Sequence, residues 1–364
     1  MRYKSIHNSK KKVSLFAKIS IAVFLVSLTL FVLSKSFVPV AQFANATVSQ
    51  ALRHLLSLPF NFLPVSVFEI VFLLIPIWIV LFVWLAVRAF QRGRALRFLV
   101  NLLSLVLVIF SGYALTLGIP YNAVTLEESM DLAETEVTAD KLANIMTELR
   151  DEVNELSSLI EYGEDGASIS PYGIEERSRL VAAEHAEIAK EYDLPYGFKS
   201  NSKSVIFGDL MSRFRFTGIY TFFTGEANVN SAYPDYDMTF TMAHELSHQR
   251  GIIRENEANF MAYLILSRSD DAYLRYAGAL SMYEYISSAL YRTDKERYME
   301  IAKGLADGPR GDICASNAVT ARYADSKIGN ITNKLNDAYL KGNGTEGVVS
   351  YGMVVELTVA YFEK

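Results

Sequence analysis

The stretch "TMAHELSHQRGIIRENEANFMAYL" runs from residue 241 to residue 264. It contains two of the five histidines of the chain, His244 and His248, and Glu245 directly follows the first. Side chains four residues apart on a helix project from the same face. Two imidazoles at this spacing can hold one Zn²⁺ at about 2.0–2.1 Å each. The stretch therefore predicts a metal-binding helix.

The residues around the histidines give this helix a start, a stop and a catalytic base. Asp235 or Asp237 can cap its N-terminus, and Gly251 can end it. Glu245 flanks the metal position, where its carboxylate can take a proton from an attacking water. Because zinc lowers the pKa of water to about 7, a carboxylate is a strong enough base. We therefore expect a hydrolytic zinc site with Glu245 as its general base.

A catalytic zinc needs a third protein ligand and one open position. A second helix is predicted to begin at about Arg254, and it offers Glu255 and Glu257. Only one of these glutamates can face the metal, because they lie about 160° apart around the helix. We favour Glu255, with Asn259 on the same face as a residue that orients a ligand. Glu257 is the alternative.

The composition of the chain changes after its first third. The 364 residues are 51% hydrophobic, with a net charge of -5, and the hydrophobic excess lies in the first third. A modest negative charge argues against nucleic acid as a partner. The single cysteine, Cys314, can form neither an intrachain disulfide nor a cysteine-rich metal site. The sequence predicts a membrane domain over residues 1–121 and an exterior domain over residues 122–364.

Three apolar segments are predicted to cross the membrane, at about residues 19–40, 66–87 and 98–118. Each approaches the roughly 20 residues that a bilayer requires. The loop between the second and third is rich in arginine, which places it in the cytoplasm and residues after 121 outside. We therefore expect a multi-pass protein of the cell membrane, in contact with the lipid bilayer, with an extracytoplasmic C-terminal domain. A cleaved signal peptide, with Ala44-x-Ala46 as its cleavage site, is the alternative for the first segment.

The exterior domain is predicted to be mostly helical. Apolar residues recur at helical spacing before residue 192 and again after residue 235. Between them, "SVIFG", "FTGIYTFFTG" and "EANVNSAY" are rich in strand-forming residues with glycine at the turns. The fold class is therefore mainly α, with N-terminal transmembrane helices followed by a mostly helical α+β domain that contains a small sheet.

The site motif resembles that of the zincin metallopeptidases, in the branch whose third ligand is a glutamate. Glu255-x-x-Ala258-Asn259 is similar to the E-x-x-A-[D/N] helix of the HtpX-type membrane peptidases and the ImmA/IrrE-type peptidases. The resemblance implies a zincin-like domain, with Glu255 as third ligand and Asn259 in support. In those families the glutamate helix comes much later in the chain, whereas here six residues separate His248 from Glu255. The spacing is closer to that of the metzincins, but their third histidine would fall on Arg254, which cannot bind a metal.

Three blocks resemble a family of bacterial membrane proteins of unknown substrate, with three N-terminal spans and an exterior zincin-like domain. They are "GIYTFFTGEANVN", "HELSHQRGIIRENEANFMAYL" and "NDAYLKGNGTEGVVSYG". Zincins lay their substrate along an edge strand, so by analogy "GEANVN" is the predicted edge strand and Asn228 a substrate-binding residue. A donor for the transition-state oxyanion is also expected. Tyr220, Tyr323 and Tyr351 are equal candidates.

These features favour a membrane-anchored zinc metallopeptidase that hydrolyses a peptide or protein substrate at the outer side of the membrane. A non-catalytic binding or sensor module with a zinc-stabilised fold is the alternative. Glu245 favours the enzyme, because a structural zinc needs no base and more often has four protein ligands. A transporter is disfavoured, because the predicted spans are few and carry no internal charge beyond Glu69 near one end.

Overall fold

The computed structural model describes residues 14–192, 194, 198 and 200–364, and most of them are helical. In chain order the α-helices are α1 (Leu15–Ser36), α2 (Val38–Ala44), α3 (Gln50–Ser57), α4 (Val67–Leu73), α5 (Ile75–Gln91), α6 (Ala95–Tyr113), α7 (Leu126–Ser129), α8 (Ala139–Ser157), α9 (Ile174–Glu191), α10 (Gly208–Arg213), α11 (Asp235–Gln249), α12 (Glu255–Ser267), α13 (Ala272–Thr293), α14 (Lys295–Ala302), α15 (Asp307–Arg322), α16 (Lys327–Gly342) and α17 (Val354–Phe362). The strands are β1 (Glu161–Tyr162), β2 (Ser168–Ile169), β3 (Lys203–Val205), β4 (Gly218–Thr221) and β5 (Glu226–Asn230). The predicted mainly α class with a small sheet is confirmed.

Among the described residues, two helices are long and apolar enough to cross a membrane. They are Leu15–Ser36 and Ala95–Asn122, the second being α6 extended by π-helical and 3₁₀ turns. The second predicted span is instead a pair of helices, α4 and α5, bent by 57°. Pro76 lies in the first turn of α5, where a missing backbone donor is tolerated. The apolar helices indicate a membrane protein, while a third span and the side of the C-terminal domain stay predictions.

The two membrane helices α1 and α6 pack through small residues. Ser27 of α1 and Ser111 of α6 are buried, and their hydroxyl oxygens lie 3.0 Å apart. Small residues allow close approach of helices in a membrane, where apolar side chains gain little by leaving lipid. Large apolar side chains face outward, as for Val80, which is 69% exposed, and Val106, which is 53% exposed. This distribution fits a lipid environment.

The C-terminal domain is built around helix α11. Every residue from Met238 to Gln249 is buried, because α11 packs against α12, α13, α9 and the strands β4 and β5. Helix α8 packs along α13 on the far side and closes the apolar core. Buried polar groups are costly unless they are paired. The polar residues of α11 therefore need partners inside the domain.

In the described chain, the N-terminus of α11 lacks the predicted side-chain cap, whereas its C-terminus has the predicted glycine. Asp235 is its first residue, and Pro234 is the N-cap residue, without a side-chain cap. The predicted Asp235 or Asp237 cap is thus wrong, and Asp235 instead pairs with Arg177 at 2.9 Å. Gly251 follows the last turn with φ of +100°, a conformation that favours glycine. The predicted stop at Gly251 is confirmed.

The larger sheet of the described chain has the strand order β3-β5-β4. Strand β3 runs parallel to β5, with Lys203 opposite Asn228, and β4 runs antiparallel to β5, with Ile219 opposite Asn228. The predicted strands are present, but the prediction that "GEANVN" is an edge strand is wrong. Since β3 pairs with its other side, β5 is central, and β4 forms the edge near α11.

Candidate metal centre

Helix α11 brings the two histidines of the motif together. His244 and His248 are each 9% exposed, and their ring centroids lie 4.5 Å apart with the planes at 83°. One helical turn separates them, so their positions follow from the sequence spacing. Burial follows from the central place of α11 in the domain. The two imidazole rings thus lie side by side at one buried polar site.

Glu255, the first residue of α12, completes the cluster. Its Oε2 atom lies 3.3 Å from Nε2 of His244 and 3.3 Å from Nε2 of His248. The ligand atoms of these three side chains all lie within 4.8 Å of one another. Although it is close to both nitrogens, this buried oxygen has no hydrogen-bond partner among the described residues. Three lone-pair donors therefore converge on a common point.

The turn between the two helices fixes the orientation of His248. Its Nδ1 atom lies 2.8 Å from the backbone oxygen of Ile252. A carbonyl oxygen only accepts, so Nδ1 carries the proton and donates it, which leaves the lone pair on Nε2. Gly251 permits this turn through its positive φ. Such a backbone partner is typical of a metal-binding histidine.

The other glutamate of α12 lies elsewhere. Glu257 Oε1 accepts hydrogen bonds from Arg254 at 2.8 Å and from the backbone N–H of Leu126 at 3.1 Å. It holds the start of α7 and does not belong to the cluster of His244, His248 and Glu255. Asn259 is buried one turn after Glu255, and its role in orienting a ligand stays a prediction.

The charges of the cluster stabilise one another. Burial lowers the pKa of His248, but the Glu255 carboxylate raises it more, and the resulting pKa is about 9. Burial alone would raise the pKa of Glu255, yet the two histidines lower it well below its usual range. A divalent cation would compete with the proton for the same Nε2 lone pair. Two imidazoles and a carboxylate form the donor set of several catalytic zinc sites, so the residues fit zinc.

Glu245 lies next to His244 on α11 and is in close contact with strand β4. Its carboxylate is buried, and burial raises its pKa above the ordinary value. Within the described part of the chain, its Oε2 atom has no hydrogen-bond partner. A Cβ atom on Gly218 of β4 would lie 2.5 Å from Glu245 Oε1. This carboxylate can accept a proton, and it faces the edge strand.

The outer edge of β4 is open, since no described strand pairs with it. The backbone N–H of Asn230 donates to the oxygen of Thr217 at 2.8 Å. Hydrogen-bonded pairs alternate along an antiparallel ladder, so the backbone groups of Gly218 and Tyr220 point away from β5. The Tyr220 N–H is directed to Glu245. A polypeptide could pair with this edge.

Asn228 lies on β5, away from this edge. It is fully buried. Its Oδ1 accepts a hydrogen bond from Ser66 at 2.6 Å, and its Nδ2 donates to the Ile219 backbone oxygen at 3.2 Å. No room is left for a peptide to pair with it, so the predicted substrate-binding role of Asn228 does not fit the geometry. The residue instead ties the sheet to the start of α4.

A cleft of about 240 Å³ opens over the three clustered side chains. Its walls come mainly from the π-helical and 3₁₀ turns after α6 and from β4, α11, α12 and α16. The lining residues are Leu117, Tyr121, Phe216, Gly218, Ile219, Tyr220, His244, Glu245, His248, Ile253, Glu255, Asn336 and Tyr339. The apolar helix Ala95–Asn122 and the C-terminal domain thus meet at one cavity. Sequence reasoning missed Leu117, Tyr121 and Tyr339, because only the tertiary packing brings them to the motif.

The tyrosines predicted as oxyanion donors differ in position. Tyr220 lines the cleft, and burial raises its pKa to about 12. Tyr323 instead donates to Asp209 at 2.7 Å and is not among the residues that line the cleft. The Tyr351 side chain lies outside the described structure. Tyr339, which the sequence did not single out, lines the cleft, and burial raises its pKa.

The connection between the first two apolar segments supports the end of α11. Asn45 Nδ2 donates to the Gly251 backbone oxygen at 3.3 Å. Arg53 of α3 is fully buried and donates to Asn45 Oδ1 at 2.9 Å and to the Thr116 backbone oxygen at 3.1 Å. Sequence reasoning assigned this segment no part in the site. Arg53, a single arginine in an apolar segment, was the sequence feature that could have indicated a buried structural role.

The fold and the site define a mainly helical membrane protein with a candidate metal centre of two histidines and one glutamate. Residues 44–359 match the model of a family described as a protein of unknown function, DUF3810. The match covers most of the chain, including all of the site residues, and the chain belongs to this family. No curated protein and no solved structure matches.

Proposed function

We propose that the protein is a membrane-bound, zinc-dependent metallopeptidase of the zincin type. The observation that carries this proposal is the convergence of His244, His248 and Glu255, whose ligand atoms lie within 4.8 Å of one another. Zinc would be held by these three side chains, and when bound it supplies Lewis acidity to a water and to a substrate carbonyl. Since the described cluster contains three protein ligands, a position stays open for chemistry.

The protein residues account for the remaining steps of peptide hydrolysis. Glu245 takes a proton from water, whose oxygen adds to the carbonyl carbon of the scissile bond. The C–N bond then breaks, and the leaving amine receives the proton from Glu245. The raised pKa of Glu245, caused by its burial, suits a group that must both take and return a proton. Products are a carboxylate and an amine.

The open edge of β4 supports a peptide as the substrate. Gly218, Ile219 and Tyr220 line the same cleft as the cluster, and an extended chain added to this edge would pass over it. A non-catalytic zinc-stabilised module remains the competing function. It explains neither the buried base at Glu245 nor the open strand beside it.

The proposed membrane arrangement has three spans with the C-terminal domain outside. Arg92 and Arg94 lie between α5 and α6, at the opposite end of α6 from the cleft residues Leu117 and Tyr121. Arginine-rich loops stay in the cytoplasm. If α6 crosses the bilayer, the metal centre is therefore extracytoplasmic.

The proposal is tested with the full-length protein purified in detergent. Metal content is measured by elemental mass spectrometry, and cleavage is measured on an unfolded protein substrate such as casein. We expect one zinc in the wild type and in Glu245→Gln, with cleavage lost in Glu245→Gln by about 10²-fold or more. His248→Ala should lose both. Equal cleavage by wild type and Glu245→Gln, or a wild type that binds no divalent metal, would overturn the proposal.

A further inference from the structure

We propose that the cleft takes the membrane-proximal segment of a polypeptide anchored in the same bilayer. This inference rests on the proposed peptidase function and names its class of substrate. It is carried by the position of the cleft on the membrane helix, by the attachment of two cleft walls, β4 and α16, to that helix, and by an exposed apolar stripe on α16.

One wall of the cleft is the end of a membrane span. Leu117 and Tyr121 line the cleft, and both belong to the apolar helix Ala95–Asn122. A bilayer core is crossed by about 20 helical residues. Counted from Phe98, the first residue after Arg97, the span ends at about Leu117. The cleft thus begins where the hydrocarbon region ends.

Two other walls rest on the same helix, so the distance from cleft to membrane is fixed. Tyr113 of α6 donates a hydrogen bond to Asn343, just after α16, at 2.7 Å. The Tyr113 ring also contacts Phe222, at the end of β4, with ring centroids 6.4 Å apart. Strand β4 and helix α16 are therefore held against the last turns of the span.

Helix α16 presents an apolar stripe that leads into the cleft. Ile328 is 43% exposed, Ile331 is 57% exposed and Leu335 is 66% exposed. Their spacing places them on one face, and Tyr339, one turn after Leu335, lines the cleft. Contiguous exposed apolar side chains are typical of a membrane or protein contact. The approach to the cleft is thus apolar beside the membrane.

These features fit a substrate that emerges from the bilayer better than one that arrives from solution. Residues just outside a membrane span are already at the height of the cleft, and tethering raises their local concentration. Such a segment is extended as it leaves its helix and can pair with the open edge of β4. The site formed by His244, His248, Glu255 and Glu245 would then hydrolyse the anchored chain close to the membrane.

The test uses the full-length protein in vesicles of phosphatidylethanolamine and phosphatidylglycerol. One unstructured casein-derived segment is supplied in two forms, either fused directly after a single transmembrane helix or free in solution. Cleavage rates and sites are measured by mass spectrometry, with Glu245→Gln as the inactive control. We expect the anchored form to be cut about tenfold faster or more, within about 10 residues of its membrane helix, a reach of roughly 33 Å.

Variants on α16 add a second readout. Ile331→Lys and Leu335→Lys should each lower the ratio of anchored to free cleavage several-fold. Asn333→Lys, which adds the same charge to an exposed position on the opposite face of α16, should leave the ratio unchanged. Equal rates for the two substrate forms, with Glu245→Gln inactive on both, would sink this inference and leave the peptidase intact. Cleavage of neither form above the Glu245→Gln background would overturn the peptidase itself.

Discussion

Gly218 of β4 and Glu245 of α11 are in such close contact that a Cβ atom on the glycine would lie 2.5 Å from Glu245 Oε1. The same Cβ atom would lie 2.5 Å from Thr241 Cγ2. Real Cβ atoms do not approach other atoms this closely, so a side chain here must displace the strand or the carboxylate. The absence of a side chain at residue 218 therefore sets the distance between the Glu245 carboxylate and the open edge of the sheet.

Gly218→Ala should lower peptide cleavage by about 10²-fold, because a shift of about 1 Å in a catalytic group can cost that much. Zinc content should stay at the wild-type level, since the three clustered ligands are untouched. Gly173→Ala is the matched control, because a Cβ there meets nothing within 4 Å. Wild-type activity in Gly218→Ala would show that Glu245 does not act from this position.

Substitutions of the two glutamates of α12 should have different effects, one mainly on zinc binding and the other on the free energy of unfolding. Glu255→Gln removes the carboxylate that lies 3.3 Å from both histidines, and the affinity for zinc should fall by at least about tenfold. Glu257→Gln breaks the ion pair with Arg254 and should lower stability by about 1–3 kcal/mol with zinc retained. Zinc titration and thermal unfolding of both variants measure the two effects. Zinc loss in Glu257→Gln alone would reverse the ligand assignment.

Gly251 should tolerate substitution less well than another glycine of positive φ. Gly251 has φ of +100° and Gly344 has φ of +87°. A Cβ on Gly251 would also clash with Arg53 and lie 2.7 Å from Asn45 Oδ1, whereas one on Gly344 meets nothing within 4 Å. Gly344→Ala should cost about 1–2 kcal/mol in backbone strain, and Gly251→Ala clearly more, with weaker zinc binding. Equal melting temperatures for the two variants would contradict a tight contact at Gly251.

Tyr339 should contribute to the reaction through its hydroxyl group. It lines the cleft, where a phenol can donate a hydrogen bond to the developing oxyanion. Tyr339→Phe should lower kcat by about 10²-fold with a smaller change in KM. Tyr323→Phe, whose hydroxyl bonds to Asp209, serves as the control and should retain kcat. Equal effects of the two substitutions would assign Tyr339 a packing role only.

Glu284 should make stability depend on pH. Burial, with Asp237 adding its charge, raises the pKa of Glu284 to about 8 from an ordinary value of 4.5. Between these values the folded state binds the proton more tightly than the unfolded state, so stability falls as pH rises from about 4.5 to about 8. Glu284→Gln should therefore raise the melting temperature at pH 8 far more than at pH 5. Glu296→Gln, at an exposed position of α14, should show no such difference.

Local periodicity was enough to predict much of the architecture. The apolar runs predicted two of the three proposed spans as single helices, and Gly251 predicted the end of α11. Both features depend on short-range composition and backbone conformation. The same spacing put His244 and His248 on one face. The choice between Glu255 and Glu257 needed a geometric argument about helix faces, and the structure brings Glu255 to the histidines.

The pairing of strands that are distant in the chain could not be predicted from the sequence. Strand β5 is central because β3 also pairs with it, although α10 and β4 lie between the two strands in the chain. Nothing in the residues of "GEANVN" specifies β3 as a partner. Asn228 was predicted to contact substrate, but in the structure it accepts a hydrogen bond from Ser66. This partner, too, is distant in the chain. Strand neighbours depend on how the whole chain crosses over, so an edge strand cannot be read from its own residues.

Composition and helical period were enough to predict two long apolar helices, the mainly α class, and the histidines and glutamates of α11 and α12. The approach of Glu255 to both histidines, the open edge of β4, and the place of Leu117, Tyr121 and Tyr339 in the cleft are visible only in the folded structure. The residues that line the cleft are far apart in the chain, and Glu255 reaches the histidines only through the turn between α11 and α12. Their meeting depends on the packing of whole helices, which no local pattern specifies.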